Sequence, residues 1–400
     1  MNTLPPPLQA AIIACIIGSN AVAADPLTNP NLYHDSLLRP SAIVAGRYVA
    51  PDGTLLANAA IVLEDGKIKE VVPAENLEMT AGVVRRPDGV LSPGLIDVLS
   101  SAGAYGKVHE SALAVDPGVS AIDALDPRHA DFRKAVEAGV TTVVLAPAPI
   151  NLVCGAGAVV KTDMGRGASV LRDDGPLFLA LGPSVWQPDR EPTSRMGSVA
   201  MLRQVVAEAG SGRGHRRLQE FVAGELNGIV LCGELPDLSA AIRTMGAGQA
   251  RFAVAYNGDG LGVVEDLAGT GIPVILGSFA FESTRRALSL PAALTSADVP
   301  VALAGNLPAA SRKALRLSAA LAVRYGMDAA KARQAITATP AAVAGVADRV
   351  GAIRSGLDAD LVVFSDDPLR PDAAVLEVYI NGVRVFADAD QVQALAGDPQ

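Results

Sequence analysis

Leu91-Ser92-Pro93-Gly94-Leu95-Ile96-Asp97-Val98-Leu99-Ser100-Ser101 marks the point where this 400-residue chain changes its pattern. A Pro-Gly pair punctuates the backbone, and an apolar run follows it directly. On the amino side, residues 42–49, 58–63 and 68–72 read as short β-strands. Glu64-Asp65-Gly66-Lys67 supplies an Asp-Gly hairpin turn between the last two. On the carboxyl side the pattern differs. Apolar strands are expected at 94–98, 141–146, 177–181, 229–232, 252–256, 273–277 and 301–304, with helical stretches between them such as 130–138, 198–209 and 311–325. Continuous apolar strands alternating with helices imply a parallel sheet covered on both faces. Past Gly345 the short-strand pattern returns at 361–364 and 378–386, the latter split by an Asn381-Gly382 turn.

The resulting fold class is α/β: a (β/α)8 TIM barrel over residues 91–345, with a small composite β-sandwich built from 37–90 and 346–390. About 255 residues is the usual span of such a barrel. Only seven strands are clear, and the segment 157–172 reads as an inserted hairpin that hides or replaces the eighth.

Composition agrees with a globular α/β protein: 50% of residues are hydrophobic and 19% charged. A net charge of −9 with no Lys/Arg cluster argues against a nucleic-acid partner. The apolar run 10–18, followed by Ser19-Asn20-Ala21-Val22-Ala23-Ala24, reads as a signal peptide over residues 1–24, so the mature chain is expected to be periplasmic or secreted, as in a bacterial exported protein. The run is too short to span a bilayer. Ile12-Ile13-Ala14-Cys15 resembles a lipobox, but apolar residues continue beyond it. After removal of the leader, Cys154 and Cys232 remain, either paired or as two buried thiols.

Four stretches in order carry a family resemblance: 91–97, Ala138-Gly139-Val140-Thr141-Thr142-Val143, Ile336-Thr337-Ala338-Thr339-Pro340-Ala341, and Gly351-Ala352-Ile353-Arg354-Ser355-Gly356-Leu357-Asp358-Ala359-Asp360-Leu361-Val362-Val363. Together with 154–162 they resemble the amidohydrolase superfamily, in its imidazolonepropionase-like branch. That resemblance implies the barrel, and a zinc or other divalent ion at its mouth. It also implies hydrolysis of carbon–nitrogen bonds.

The metal-binding residues depart from the pattern. Where the family places two histidines after Pro-Gly-Leu-Ile-Asp, this chain has Leu99 and Ser101. The later strand-end histidines fall on Cys232 and on Tyr256 or Ala255, and the last-strand aspartate on Asn306. A divalent metal lowers the pKa of bound water from about 15.7 to about 7, roughly 12 kcal/mol of activation that these residues do not replace. No metal or other cofactor is therefore expected, and no catalytic residue is assigned. No G-x-S-x-G or H-E-x-x-H stretch offers other machinery. The four histidines, His34, His109, His129 and His215, lie in expected loops or helices. Asp97, Lys161 and Ser278 remain as candidate ligand contacts. Asp97 could equally hydrogen-bond barrel backbone, and Lys161 could be a solvated hairpin lysine.

Three functions follow. The first is an inactive or impaired amidohydrolase homologue, partnering an active paralogue in a hetero-oligomer or forming a homo-oligomer. The second is a hydrolase of dipeptide or non-peptide C–N bonds with an atypical site. The third is a small-molecule binding protein using the metal-free mouth.

Overall fold

The computed structural model describes residues 38–77, 81–163 and 170–388. The expected signal peptide, Cys15 and His34 lie outside them. Four strands come first: β1 (Ala42–Val49), β2 (Leu55–Glu64), β3 (Lys67–Pro73) and β4 (Val83–Pro93). The central body carries β5 (Leu95–Ser100), β6 (Val140–Leu145), β7 (Val153–Ala156), β8 (Ala158–Lys161), β9 (Val170–Arg172), β10 (Leu177–Leu181), β11 (Asn227–Cys232), β12 (Arg251–Tyr256), β13 (Val274–Gly277) and β14 (Val301–Ala304). Then come β15 (Leu361–Phe364), β16 (Val375–Ile380) and β17 (Val383–Ala387).

The two outer groups of strands form one sheet in the order β17-β16-β15-β4-β1-β2-β3. The expected composite module thus has its two terminal parts joined in a single sheet. Strand β4 pairs parallel with β1 and antiparallel with β15, so the terminal segments share one continuous ladder. Ile43, Ile61, Ile68, Leu91, Leu361 and Tyr379 nevertheless fall in one apolar cluster, which the sheet reaches by curling around it. Both expected hairpin turns are present. Asp65 and Gly66 have φ of 51° and 78°, and Asn381 and Gly382 have 51° and 69°, the left-handed pair that a tight two-residue hairpin needs.

The chain passes straight from β4 into β5 at Gly94, whose N–H donates to the Asp360 carbonyl at 2.8 Å. A Cβ there would lie 1.9 Å from Thr141 Oγ1. The Pro-Gly pair thus marks a close approach that only glycine permits.

The central body has two sheets, β14-β13-β12-β11-β10-β7 and β5-β6-β8-β9. Strands β10 to β14 run parallel, as do β5 and β6. The run from Val153 to Lys161 goes the other way: β7 pairs antiparallel with β10, and β8 antiparallel with β6. Of the segment 157–172 expected as an insert, β8 and β9 extend the second sheet beyond β6, while β7, just before it, edges the first.

On the other side, no ladder joins β14 to β5 among the described residues. The backbone explains why. The Ile96 N–H donates to the Ile336 carbonyl and the Leu303 N–H to the Ala335 carbonyl, at 3.0 and 2.8 Å, so the start of the Ile336–Thr337 landmark is wedged between the strands. The α/β expectation thus holds, whereas the described residues form no closed sheet.

The body's core divides by strand face. One cluster takes Ile96, Val98, Val144, Phe178, Ala180, Ile229, Ala253, Ala255, Ile275, Ala302 and Ala304. A second takes the alternate residues, among them Val143, Leu179, Val230, Val254, Leu276 and Leu303, together with helix residues such as Phe132, Leu202, Leu238 and Leu290. The first is the inner face of the strands and the second their helix-covered outer face, the period-two division that strand geometry demands.

Candidate functional site

The carboxyl ends of β5, β6 and β10–β14 form the rim where the sequence places its candidate residues. Asp97 on β5 is fully buried. Its carboxylate accepts the N–H groups of Gly305 at 2.8 Å and Leu307 at 2.9 Å, with a longer bond from Leu99 at 3.4 Å. It therefore ties β5 to the segment after β14 by bonding backbone, the second of its two expected roles. Burial pushes its pKa up to about 6 against these donors.

Leu99 packs against the inner cluster, as do Ala146, Trp186 and Leu231. The Ser101 N–H donates to the Leu307 carbonyl at 2.8 Å. Cys232 and Tyr256 stand opposite each other in the β11–β12 register. Both belong to the outer cluster, and the inner-facing residues at those strand ends are Leu231 and Ala255. The strand-end assignment to Cys232 is thus shifted by one residue, and of the alternatives Tyr256 and Ala255 it is Ala255 that faces inward, because a one-residue shift reverses the face. Burial raises the pKa of both side chains, which keeps the thiol and the phenol protonated.

Asn306 follows β14 with a left-handed φ of 53°, and its side chain donates a long bond of 3.5 Å to Ser278 Oγ. Of the expected constellation, Ser278, Asn306 and Tyr256 border one cavity, while Leu99 does not.

Lys161 is neither solvated nor at this rim. Its pairing with Thr142 puts it near the amino end of β6, on the opposite face of the body. Its side chain is 0% exposed, and its ammonium donates to Asp358 at 2.8 Å, Asp360 at 2.9 Å and Asn381 at 2.5 Å. Arg349 also donates to Asp358 through two nitrogens. Burial opposes the Asp358 charge, but Arg349 and Lys161 together outweigh it and hold its carboxyl below the usual range. For Asp360 burial prevails, and its pKa is raised. Two family-like stretches of sequence meet here as a buried ion cluster.

Two histidines cap helices. His129 and His215 accept backbone N–H groups at the starts of helices Ala130–Glu137 and Arg216–Val222. Cys154 and Cys232 are free and buried, and burial pushes the Cys154 thiol up to about 12.

One rim device was not foreseen. Arg195 donates to the buried Asp237 at 2.7 Å and to Glu234 at 2.6 Å, and lies 5.6 Å from the ring centroid of Trp186. That Trp186 is the chain's single tryptophan was the one signal available.

The family's divalent ion needs imidazole, thiolate or carboxylate donors converging from several strand ends. The inner rim offers Leu99, Ala146, Leu231 and Ala255 instead. Asp97 is engaged by three amides, and Asn306 brings a neutral amide. Among the described residues, no group of three or more His, Cys, Asp or Glu is placed to hold a metal. The residues present do not fit that ion.

Residues 264–386 match the model of the amidohydrolase family. These matches make the chain similar to the amidohydrolase superfamily. "Amidohydrolase tasK" of Hapsidospora irregularis is 23% identical over 397 residues, covering 82% of this chain. The chain spans 40% of the length of that curated relative. Among solved structures, an amidohydrolase from Thermotoga maritima MSB8 shares the fold at a TM-score of 0.76 and 24% identity, covering 86% of this chain and 100% of that one. A prolidase in complex with N-methylphosphonate-L-proline aligns at a TM-score of 0.57 and 14% identity, over 87% of this chain and 100% of that one. Similarity to amidohydrolases thus accompanies a rim whose donors depart from the superfamily's pattern.

Proposed function

We propose that this chain is a non-catalytic amidohydrolase homologue, exported, that serves as the structural partner of an active paralogue. The observation that carries the proposal is the apolar inner rim: Leu99, Ala146 and Leu231 pack where metal-binding side chains would converge. An inner surface of hydrocarbon supplies neither a Lewis acid nor a base, and a fold supplies no chemistry by itself. In the same reading the two sheets are one barrel of eight positions, with the reversed run from Val153 to Lys161 filling one of them. The single inner cluster, with residues from both sheets, supports this. Export rests on the apolar run 10–18 and the small residues before Asp25. Partnership rests on the contrast between that rim and the intact ion cluster around Lys161.

The test is purification of the full chain from medium supplemented with zinc and manganese, followed by elemental analysis. A screen against cyclic amides and dipeptides and a pull-down from the native source complete it. The expected result is substoichiometric metal, no turnover above background and co-purification of a histidine-bearing paralogue. One equivalent of metal bound at the rim, or turnover lost on changing Asn306, overturns the reading.

A further inference from the structure

Polar side chains missing from the inner rim gather beside it. A cavity of about 570 Å³ opens between the ends of β12, β13 and β14 and the first turn of helix Arg285–Ser296. Its floor includes Leu276 and Leu290, which belong to the outer cluster, so it is displaced from the inner face where Leu99 and Leu231 pack. Its volume lies within the range of small-molecule sites, roughly 300–1,000 Å³.

The lining has one sign of charge. Among the described residues, Asp259 is the only carboxylate bordering the cavity, and no Lys, Arg or His lines it. Thr284 Oγ1 donates to Asp259 at a long 3.4 Å, and no salt bridge is formed there among the described residues. The amino end of the adjoining helix is already satisfied, because the Thr284 hydroxyl accepts the Ala287 N–H at 3.1 Å. On the opposite wall stand Ser278 and Asn306. The Asn306 backbone is held on both sides by Asp97, which accepts the flanking Gly305 and Leu307 N–H groups. A polar side chain fixed through a buried carboxylate is pre-organised, which lowers the ordering cost of binding.

We propose that this off-axis cavity binds a small organic cation, an ammonium compound whose charge rests on Asp259 and whose other polar groups meet Ser278 and Asn306. A carboxylate in a lining that holds no basic side chain attracts ammonium and repels carboxylates and phosphates. The apolar floor accommodates the carbon skeleton. The site needs no metal and no turnover, so its test is independent of the proposed lack of catalysis.

The experiment titrates the full chain by calorimetry and thermal shift with ethanolamine, putrescine and betaine, against acetate and inorganic phosphate as anionic controls. Asp259→Asn and Ser278→Ala are compared with Asp123→Asn, which borders a separate cavity. The expected result is saturable binding of at least one ammonium compound, weakened about tenfold or more by Asp259→Asn and unchanged by Asp123→Asn. The proposal is overturned if no ammonium compound binds, if the anions bind as well, or if Asp259→Asn binds as the parent does. Asp259 is exposed, and Ser278→Ala, which is expected to weaken binding as well, gives a second reading of the same cavity without altering charge.

Discussion

The two ends of the parallel-strand body carry opposite chemistry. Near the amino end of β6, the buried Lys161 binds Asp358 and Asp360 from the segment leading into β15, and Arg349 adds a second cation. At the carboxyl ends, Leu99, Ala146 and Leu231 face inward, and the buried carboxylate of Asp97 is occupied by backbone. In one protein, then, charge is buried where modules must be joined and is missing from the inner rim where chemistry would be done. The difference shows that sequence landmarks of a family can record assembly of the fold independently of its reaction. Gly94, Lys161, Asp358 and Asp360 all act on the joint between β4, the body and the terminal strands.

The strongest challenge to this contrast is Lys161→Met. It leaves Asp358 and Asp360 buried with one cation fewer, and breaking a buried ionic cluster this way costs about 3–5 kcal/mol. Urea denaturation is expected to show that loss, and a loss below about 1 kcal/mol would place the joint's strength elsewhere.

A smaller effect concerns Asp97. Its pKa is raised from 3.8 to about 6, so the folded state binds its proton more tightly than the unfolded state does. Stability from this group is therefore greatest near pH 4 and falls as pH rises through about 6, by up to about 3 kcal/mol. The difference in unfolding free energy between the parent and Asp97→Asn, followed by urea titration from pH 4 to pH 7.5, should decline over that window. A flat difference would show that the amide donors cancel the cost of burying the charge.

The mildest outcome sharpens the contrast from the other end. A Leu99→His, Ser101→His double variant restores two imidazoles to the rim. With Cys232 and Tyr256 turned outward, two further donors remain absent, and stoichiometric zinc after dialysis is not expected by elemental analysis. Retention of one equivalent would show that the rim can rearrange to complete a site.

Much of the fold was legible because its signals are local. Strands β10 and β14 coincide with their apolar runs, and the Asp65-Gly66 and Asn381-Gly382 turns follow from the left-handed conformations those residues accept. The facing of strand ends was not legible. Strand β12 is buried at every position from Phe252 to Tyr256, so apolarity does not alternate and nothing in the sequence separates Ala255 from Tyr256. Lys161 was misread for a different reason. Its acidic partners lie 197 and 199 residues away, and only the folded chain brings them together. The continuous terminal sheet escaped notice likewise, because the β4–β15 pairing joins segments that sequence patterning treats separately.

The reversed course of β7 and β8 has a consequence for how new activities could arise here. Because this run travels against its neighbours, the residue that ends it emerges at the far side of the body, where it serves as an anchor to the terminal strands. Any future chemistry must draw its reactive groups from the remaining strand tips. One position is committed to holding the molecule together and is closed to innovation.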